Sequence, residues 1–361
     1  MDRLNTLRSS MSAQDIDLLV LGPGAHLAWL TGIRPHADER ALLFFVTAKN
    51  AGFLMPSLEA DSVRRQTDLP LFTWSDEEGP DRAINAILEE YDVQGVRSMV
   101  IDETMRADHA ALVQDRLLNS KRQFCESTLG ALRARKDAEE YKTLKQNARL
   151  ADRAMQAAWE AMKPGMSESD VAAVVRDCFK NAGAKPLFTI IGAGGNGAMP
   201  HHHTGDTLLQ AGDAIVMDIG AGMNGFSSDI TRMAVLGSAP EGFEAVHAIV
   251  ESAVQAAMAV ARPGVAAHVL DDAARSVISD AGYGEFFMHR LGHGMGVEVH
   301  EPPYITASSK TVLEENMVFS IEPGIYLPER FGLRLEDIVI LRSDGPEVLS
   351  DLSRDVRVID I

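Results

Sequence analysis

The sequence predicts an α+β chain: two ααβ units related by a pseudo-twofold axis fill the C-terminal two-thirds, and a smaller α/β domain precedes them. Three observations carry this. The stretch from Lys163-Pro164-Gly165 to Asn181-Ala182-Gly183 resembles that from Arg262-Pro263-Gly264 to Asp280-Ala281-Gly282 at a shift of 99 residues. Each copy follows a long alanine-rich segment and precedes two strand-like runs. Ahead of them, residues 1–129 alternate short apolar runs with helix-like stretches.

In the N-terminal domain, 18–21, 41–46 and 99–101 read as strands, and 81–91 and 107–118 as helices. Arg34, His36 and Arg40 share a loop between strands and read as a solvated cluster. The boundary is placed at 129/130, giving domains 1–129 and 130–361, because the first long helix begins soon afterwards. That helix spans 137–162, and its counterpart spans 241–261 with Gly242 at its start. Pro-Gly breaks each pair of helices. The second helix buries Val171, Val174 and Val175 in one copy, and Val269, Leu270, Ala273, Ala274 and Val277 in the other, at helical spacing. A glycine stop follows. Two strands around Gly220-Ala221-Gly222-Met223-Asn224-Gly225 then form a hairpin, and two strands around Pro323-Gly324-Ile325-Tyr326 form its counterpart.

Each hairpin contributes two carboxylates: Asp218 and Asp229 from the first, Glu322 and Glu336 from the second. Four carboxylates converging on one point repel by roughly 4 kcal/mol per pair at about 4 Å, so they need cations. With His293 they make a ligand set for two divalent ions. Four oxygens to one imidazole suit Mn²⁺, Fe²⁺ or Co²⁺, with Zn²⁺ also possible. The repeat adds His201, 18 residues after Gly183, and His300, 18 after Gly282, as residues flanking the metals symmetrically. His202 and His203 receive no role.

The chemistry-bearing segments are Gly225-Phe226-Ser227-Ser228-Asp229-Ile230-Thr231-Arg232, His289 through Glu301, Ile321-Glu322-Pro323-Gly324-Ile325-Tyr326 and Arg334-Leu335-Glu336-Asp337. In order and content they resemble the creatinase, prolidase and methionine aminopeptidase superfamily, whose fold is called pita-bread, over roughly residues 130–361. The resemblance implies that Asp218 chelates one metal, that Asp229 and Glu336 bridge both, and that His293 with Glu322 completes the second. It further implies attack by a water activated between the metals, with Glu322 as general base and then acid, while His201 and His300 hold the substrate and the tetrahedral intermediate. His289 would line the proline pocket. Arg334 would orient Glu336 or touch substrate.

A domain ahead of the catalytic one is similar to aminopeptidase P and the prolidases, so the expected reaction is cleavage of Xaa-Pro bonds in peptides or dipeptides. Some prolidases carry an arginine just after the motif matched by His300-Glu301, suited to a free carboxylate. Here Pro302-Pro303-Tyr304-Ile305 follows, which leans the expectation toward an aminopeptidase. The resemblance also implies a homodimer. Alternatives are a small-molecule amide or amidine hydrolase of the creatinase or ectoine-hydrolase kind, a methionine aminopeptidase, or a non-catalytic binding protein that would have lost ligands.

A net charge of −18 without a basic stripe argues against nucleic acid or anionic membrane as partner. Cys125 and Cys178 have no metal-type spacing, the N-terminus shows no apolar signal region, and no run of 18 apolar residues stands out. A cytoplasmic enzyme is the expectation.

Overall fold

A computed structural model describes residues 2–361. The chain divides into two compact units, Met1–Arg133 and Ala134–Ile361. In the first, strands β1 (Leu18–Leu21), β2 (Leu43–Thr47), β3 (Ala51–Pro56), β4 (Leu71–Trp74), β5 (Ser98–Ile101) and β6 (Lys121–Phe124) form one sheet in the order β4-β3-β2-β1-β5-β6. Helices α1 (Arg3–Ala13), α2 (Ala25–Thr31), α3 (Ser57–Arg64), α4 (Asp81–Glu90) and α5 (Ala107–Gln114) accompany it. Its central strand β1 is apolar throughout and fully buried, as a strand covered on both faces must be. Arg34 and His36 are exposed, and Arg40 makes two 2.9 Å hydrogen bonds to Asp76.

The second unit opens, after the short α6 (Leu129–Ala134), with α7 (Ala138–Ala161) and α8 (Glu168–Asn181). Each starts on a capping box, Asp137 with Glu140 and Ser167 with Asp170, which satisfies otherwise orphaned backbone N–H groups. Then come β7 (Lys185–Ala193), β8 (Ala214–Met223), β9 (Phe226–Ser227) and β10 (Ile230–Leu236). The repeat supplies α9 (Phe243–Val260), α10 (Ala267–Asp280), β11 (Gly292–Gly294), β12 (Glu301–Ile305), β13 (Val318–Ile321), β14 (Gly324–Leu327), β15 (Phe331–Arg334) and β16 (Asp337–Arg342). Strands β17 (Gly345–Val348) and β18 (Arg357–Ile359) finish the chain. The glycines that end α8 and α10, Gly183 and Gly282, have φ of 77° and 86°, the left-handed region that closes a helix and that other residues adopt at a cost.

Two sheets result, ordered β18-β10-β8-β7 and β12-β11-β13-β16-β17. Period-two alternation along β8 sends Ile215, Met217 and Ile219 into a core with Leu150, Met155, Val171 and Phe179 of α7 and α8. Val216 joins the second core instead, with Val250, Leu270, Phe319 and Val339. Asp218 shares the Val216 face. Each fully buried Leu, Ile or Phe contributes about 1.5–3 kcal/mol, so slipping β8 by one residue would replace Ile215, Met217 and Ile219 in the first core with smaller residues and the Asp218 carboxylate.

One expected detail changes. The segment read as the turn of the second hairpin forms its own two-stranded ribbon, β14 with β15, pairing Gly324 with Arg334 through Leu327 with Phe331. Buried Ile325, Tyr326, Leu327, Phe331 and Leu333 explain why this segment pairs rather than turns. Among the described residues α9 is the one helix long and apolar enough to cross a membrane. Its Phe243, Val246, Val250, Val254 and Ala257 are buried in the second core, as a core helix requires.

Candidate active site

All nine residues singled out in the sequence line one cavity of about 390 Å³: His201, Asp218, Asp229, His289, His293, His300, Glu322, Arg334 and Glu336. That size suits a small ligand. Leu187, Phe188, Ile190, Pro200, Arg290 and Val299 complete the wall.

Three of the four carboxylates sit where strands end, and the fourth lies mid-strand. Asp218 lies within β8, across from Thr231 of β10, and Asp229 falls in the break between β9 and β10. Glu322 follows the last residue of β13, and Glu336 lies between β15 and β16. Ligand atoms of Asp229, His293 and Glu336 lie within 4.8 Å of one another. The His293 Nε2 is 3.2 Å from Glu322 Oε1 and 3.7 Å from Asp229 Oδ2.

Second contacts orient these groups. His293 Nδ1 donates to the Gly294 carbonyl at 3.1 Å, leaving the Nε2 lone pair free to ligate. Its own backbone N–H donates to Ser320 Oγ, whose hydroxyl donates to Glu322 Oε1, both at 2.9 Å. Gly292 must be glycine here, because a Cβ would collide with the Ser320 carbonyl. Thr231 Oγ1 donates to Glu336 Oε2 at 2.7 Å and accepts from Arg334 Nε at 3.1 Å. Arg334 also donates to Asp218 Oδ2 at 2.6 Å and to the Tyr326 hydroxyl at 2.8 Å. Fully buried Arg232 donates to the Glu336 carbonyl at 2.5 Å and to Asp337 at 2.7 Å.

Arg334 thus reaches Glu336 through Thr231 and grips Asp218 directly. His289 is occupied on both nitrogens: Nδ1 donates to the Arg290 carbonyl at 2.7 Å, and Nε2 accepts from Tyr326 at 2.8 Å. It lines the cavity with its ring. Burial lowers its pKa, consistent with a neutral ring. His300 meets His293 edge to face at the rim, with ring centroids 4.1 Å apart and ring planes 63° to each other. Desolvation and the neighbouring His293 push its pKa down to about 4, so it too is neutral at pH 7. His201 and His203 are exposed, whereas His202 Nε2 lies 2.7 Å from buried Glu168. Glu168 also accepts the backbone N–H groups of Ala193 and Gly205, so it clamps the loop carrying His201.

Electrostatically the cluster is under-neutralised. Burial, then mutual repulsion, raises the pKa of Asp229 and Glu336 well above the usual carboxylate range, and burial also raises Asp218. Glu322 goes the other way: burial pushes it up, but the hydrogen bond and charge of His293 outweigh this and hold it low. The buried Asp218 Oδ1 has no hydrogen-bond partner. An orphaned carboxylate oxygen facing three further acids and an imidazole fits a divalent cation.

Thr231, Ser320, Tyr326 and Arg290 receive no role from the sequence. Thr231, Tyr326 and Arg290 stand inside the quoted segments, but their contacts are ones that only the fold reveals.

A model of metallopeptidase family M24 matches residues 142–343, and one of the creatinase/prolidase N-terminal domain matches 3–135. The Xaa-Pro dipeptidase of Pyrococcus horikoshii is 31% identical over 357 residues, 98% of each chain. The probable dipeptidase PepE of Mycobacterium tuberculosis is 34% identical over 350 residues, 95% of this chain and 92% of its own. The crystal structure of a prolidase from Thermococcus sibiricus superposes with a TM-score of 0.91 at 31% identity, covering 99% of this chain and 98% of that one. Sheet order, site chemistry and these likenesses agree: the chain belongs to metallopeptidase family M24 and is a metal-dependent hydrolase of the pita-bread fold.

Proposed function

We propose that this chain hydrolyses the bond between an N-terminal residue and proline, with Xaa-Pro dipeptides as its main substrates. It would use two divalent ions, manganese first, held by Asp218, Asp229, His293, Glu322 and Glu336. The observation that carries the reading is the convergence of these five side chains in one small cavity, with Asp218 Oδ1 left unpartnered. The stretch Pro302-Pro303-Tyr304-Ile305 after His300-Glu301, without an arginine, favours an aminopeptidase. The relatives named as dipeptidases, matched over nearly their whole length, shift the proposal toward dipeptides.

Bound divalent ions supply Lewis acidity that activates water and polarises the scissile carbonyl. The protein's part is proton traffic and placement. Glu322, oriented by the Ser320 hydroxyl, takes a proton from the attacking water and returns it to the departing proline nitrogen. His300 and His201, flanking the centre, donate to the substrate carbonyl and to the oxyanion that follows. Arg334 fixes Asp218 and, through Thr231, Glu336. The apolar wall of Leu187, Phe188, Ile190 and Val299 excludes water from the scissile bond.

The test is hydrolysis of Ala-Pro, Ala-Pro-Ala-Ala and Met-Ala-Ser by metal-stripped enzyme reloaded with Mn²⁺, Co²⁺ or Zn²⁺. Cleavage led by Ala-Pro supports the proposal. Preference for the four-residue peptide makes the enzyme an aminopeptidase, and silence on both proline substrates with metal bound overturns Xaa-Pro specificity. Light scattering reads whether the enzyme is the homodimer we infer.

A further inference from the structure

His201 lines the cavity, yet its exposed side chain makes no hydrogen bond among the described residues. A ring that must donate to a carbonyl oxygen needs its direction fixed, because a misplacement of about 1 Å costs on the order of 10²-fold in rate. For His201 that direction has to come from the backbone on either side. Before it stands Pro200, which fixes one dihedral. After it stands His202, whose side chain is only 11% exposed and whose Nε2 lies 2.7 Å from Glu168 Oε2.

Glu168 is a strong anchor. It is the first residue of α8, where the helix dipole favours a negative charge, and its side chain is fully buried. Oε1 accepts from the Ala193 N–H and from Asn196 Nδ2, both at 2.9 Å, and Oε2 accepts from the Gly205 N–H at 3.1 Å. Burial pushes its pKa up, but the hydrogen bonds from Ala193, Asn196, His202 and Gly205 outweigh this and hold it low. An ionised carboxylate only accepts, so His202 Nε2 carries the proton and donates it. Ala193 and Gly205 alone would close the segment that carries His201, and Thr204 closes it again by donating to the Thr189 carbonyl at 3.0 Å. The His202 bond adds a hold on the one residue next to His201.

The second half repeats the arrangement. His300 is followed by Glu301, whose buried carboxylate takes Lys136 Nζ at 2.6 Å and the Glu298 N–H at 3.3 Å. At both positions, each 18 residues after a helix-ending glycine, a cavity histidine is followed by a side chain locked to a buried charge.

We propose that His202, locked to Glu168, is a positioning residue that aims His201 at the carbonyl oxygen of the scissile bond. The inference rests on the Xaa-Pro reading above.

The experiment is a double-mutant cycle on Ala-Pro with the metal-loaded full chain: His202→Leu, His201→Ala and the two together. His202→Leu removes the donor and should lower kcat about 10- to 100-fold, the range for a residue that supports another, with little change in KM. His202→Gln sets an amide N–H near the same point and should restore most of the rate. In the His201→Ala background His202→Leu should change kcat by less than about twofold, because it acts only through His201. Metal content should stay at the wild-type level in every variant. Additive losses in the cycle, unchanged kinetics in His202→Leu, no recovery in His202→Gln, or a fall in bound metal would overturn the positioning role while leaving Xaa-Pro hydrolysis standing. A wild-type enzyme that cleaves no Xaa-Pro substrate with metal bound takes both readings down together.

Discussion

Removing the metal should make stability fall as pH rises, the reverse of an ordinary acid unfolding. The ligand oxygens of Asp229 and Glu336 lie within 4.8 Å of a common histidine atom and of each other. At an effective dielectric near 20, two charges at that separation repel by about 3 kcal/mol, and Asp218 and Glu322 add to it. The response is visible in the raised pKa values of Asp229 and Glu336, caused first by burial and then by neighbouring carboxylates. For a group whose folded pKa lies above the unfolded one, the stability it contributes is fully present below the unfolded value, near 4, and is lost as pH climbs through the folded value. Metal-free protein should therefore lose about 3 kcal/mol on going from acidic to mildly alkaline solution. For a unit of this size that is about 6–12 °C in Tm. Metal reverses the trend, because its ligands bind only when ionised.

Calorimetry of chelator-treated and reloaded protein between pH 5.5 and 8 measures this directly. Asp229→Asn sharpens it. Without metal at pH 8 the variant should melt above metal-free wild type, since one of the repelling charges is gone; with metal it should melt below. Metal-free wild type as stable at pH 8 as at 5.5, or a metal-free Asp229→Asn that melts lower than its parent, would refute the electrostatic account of the cluster.

Two further tests separate holding metal from using it. Glu336→Ala should lose both metal and hydrolysis, whereas His300→Ala should keep full metal content by elemental analysis and lose about 10²–10³-fold in kcat; full occupancy in Glu336→Ala would sink the ligand assignment. A third addresses the support of His300. Lys136 Nζ lies 2.6 Å from Glu301 Oε1, and both side chains are 2% exposed. Lys136→Met should cost about 3–5 kcal/mol, because it strips a buried carboxylate of its ammonium, and adding Glu301→Gln should restore much of the loss. A single variant as stable as wild type in urea denaturation would contradict this.

The legible part of the molecule was the part written in local chemistry. Gly183 and Gly282 announce helix ends because the left-handed backbone there tolerates little else. Asp218 declared itself by interrupting a run of apolar strand residues. What stayed hidden depends on pairs far apart in sequence. Arg334 and Asp218 are 116 positions apart, and Thr231 and Glu336 are 105 apart. No periodicity links them. The β14–β15 ribbon was missed for a different reason: Pro323-Gly324 is a turn signal, and tertiary burial of Tyr326 and Phe331 overrode it.

Those long-range bonds explain how the chain tolerates so acidic a centre before any ion arrives. Asp218, Asp229 and Thr231 come from the first hairpin, Glu322, Arg334 and Glu336 from the second half. Each half alone would carry two carboxylates that gain nothing from proximity. Joined, Arg334 inserts one positive charge between the halves, Thr231 spans from that arginine to Glu336, and Arg232 of β10 ties down the Glu336 backbone. The contacts that fix the ligand geometry are the same contacts that offset its repulsion. Loss of Arg334 should consequently damage the metal-free fold as well as metal affinity, whereas loss of Arg290, which bonds no acid of the cluster, should leave both intact.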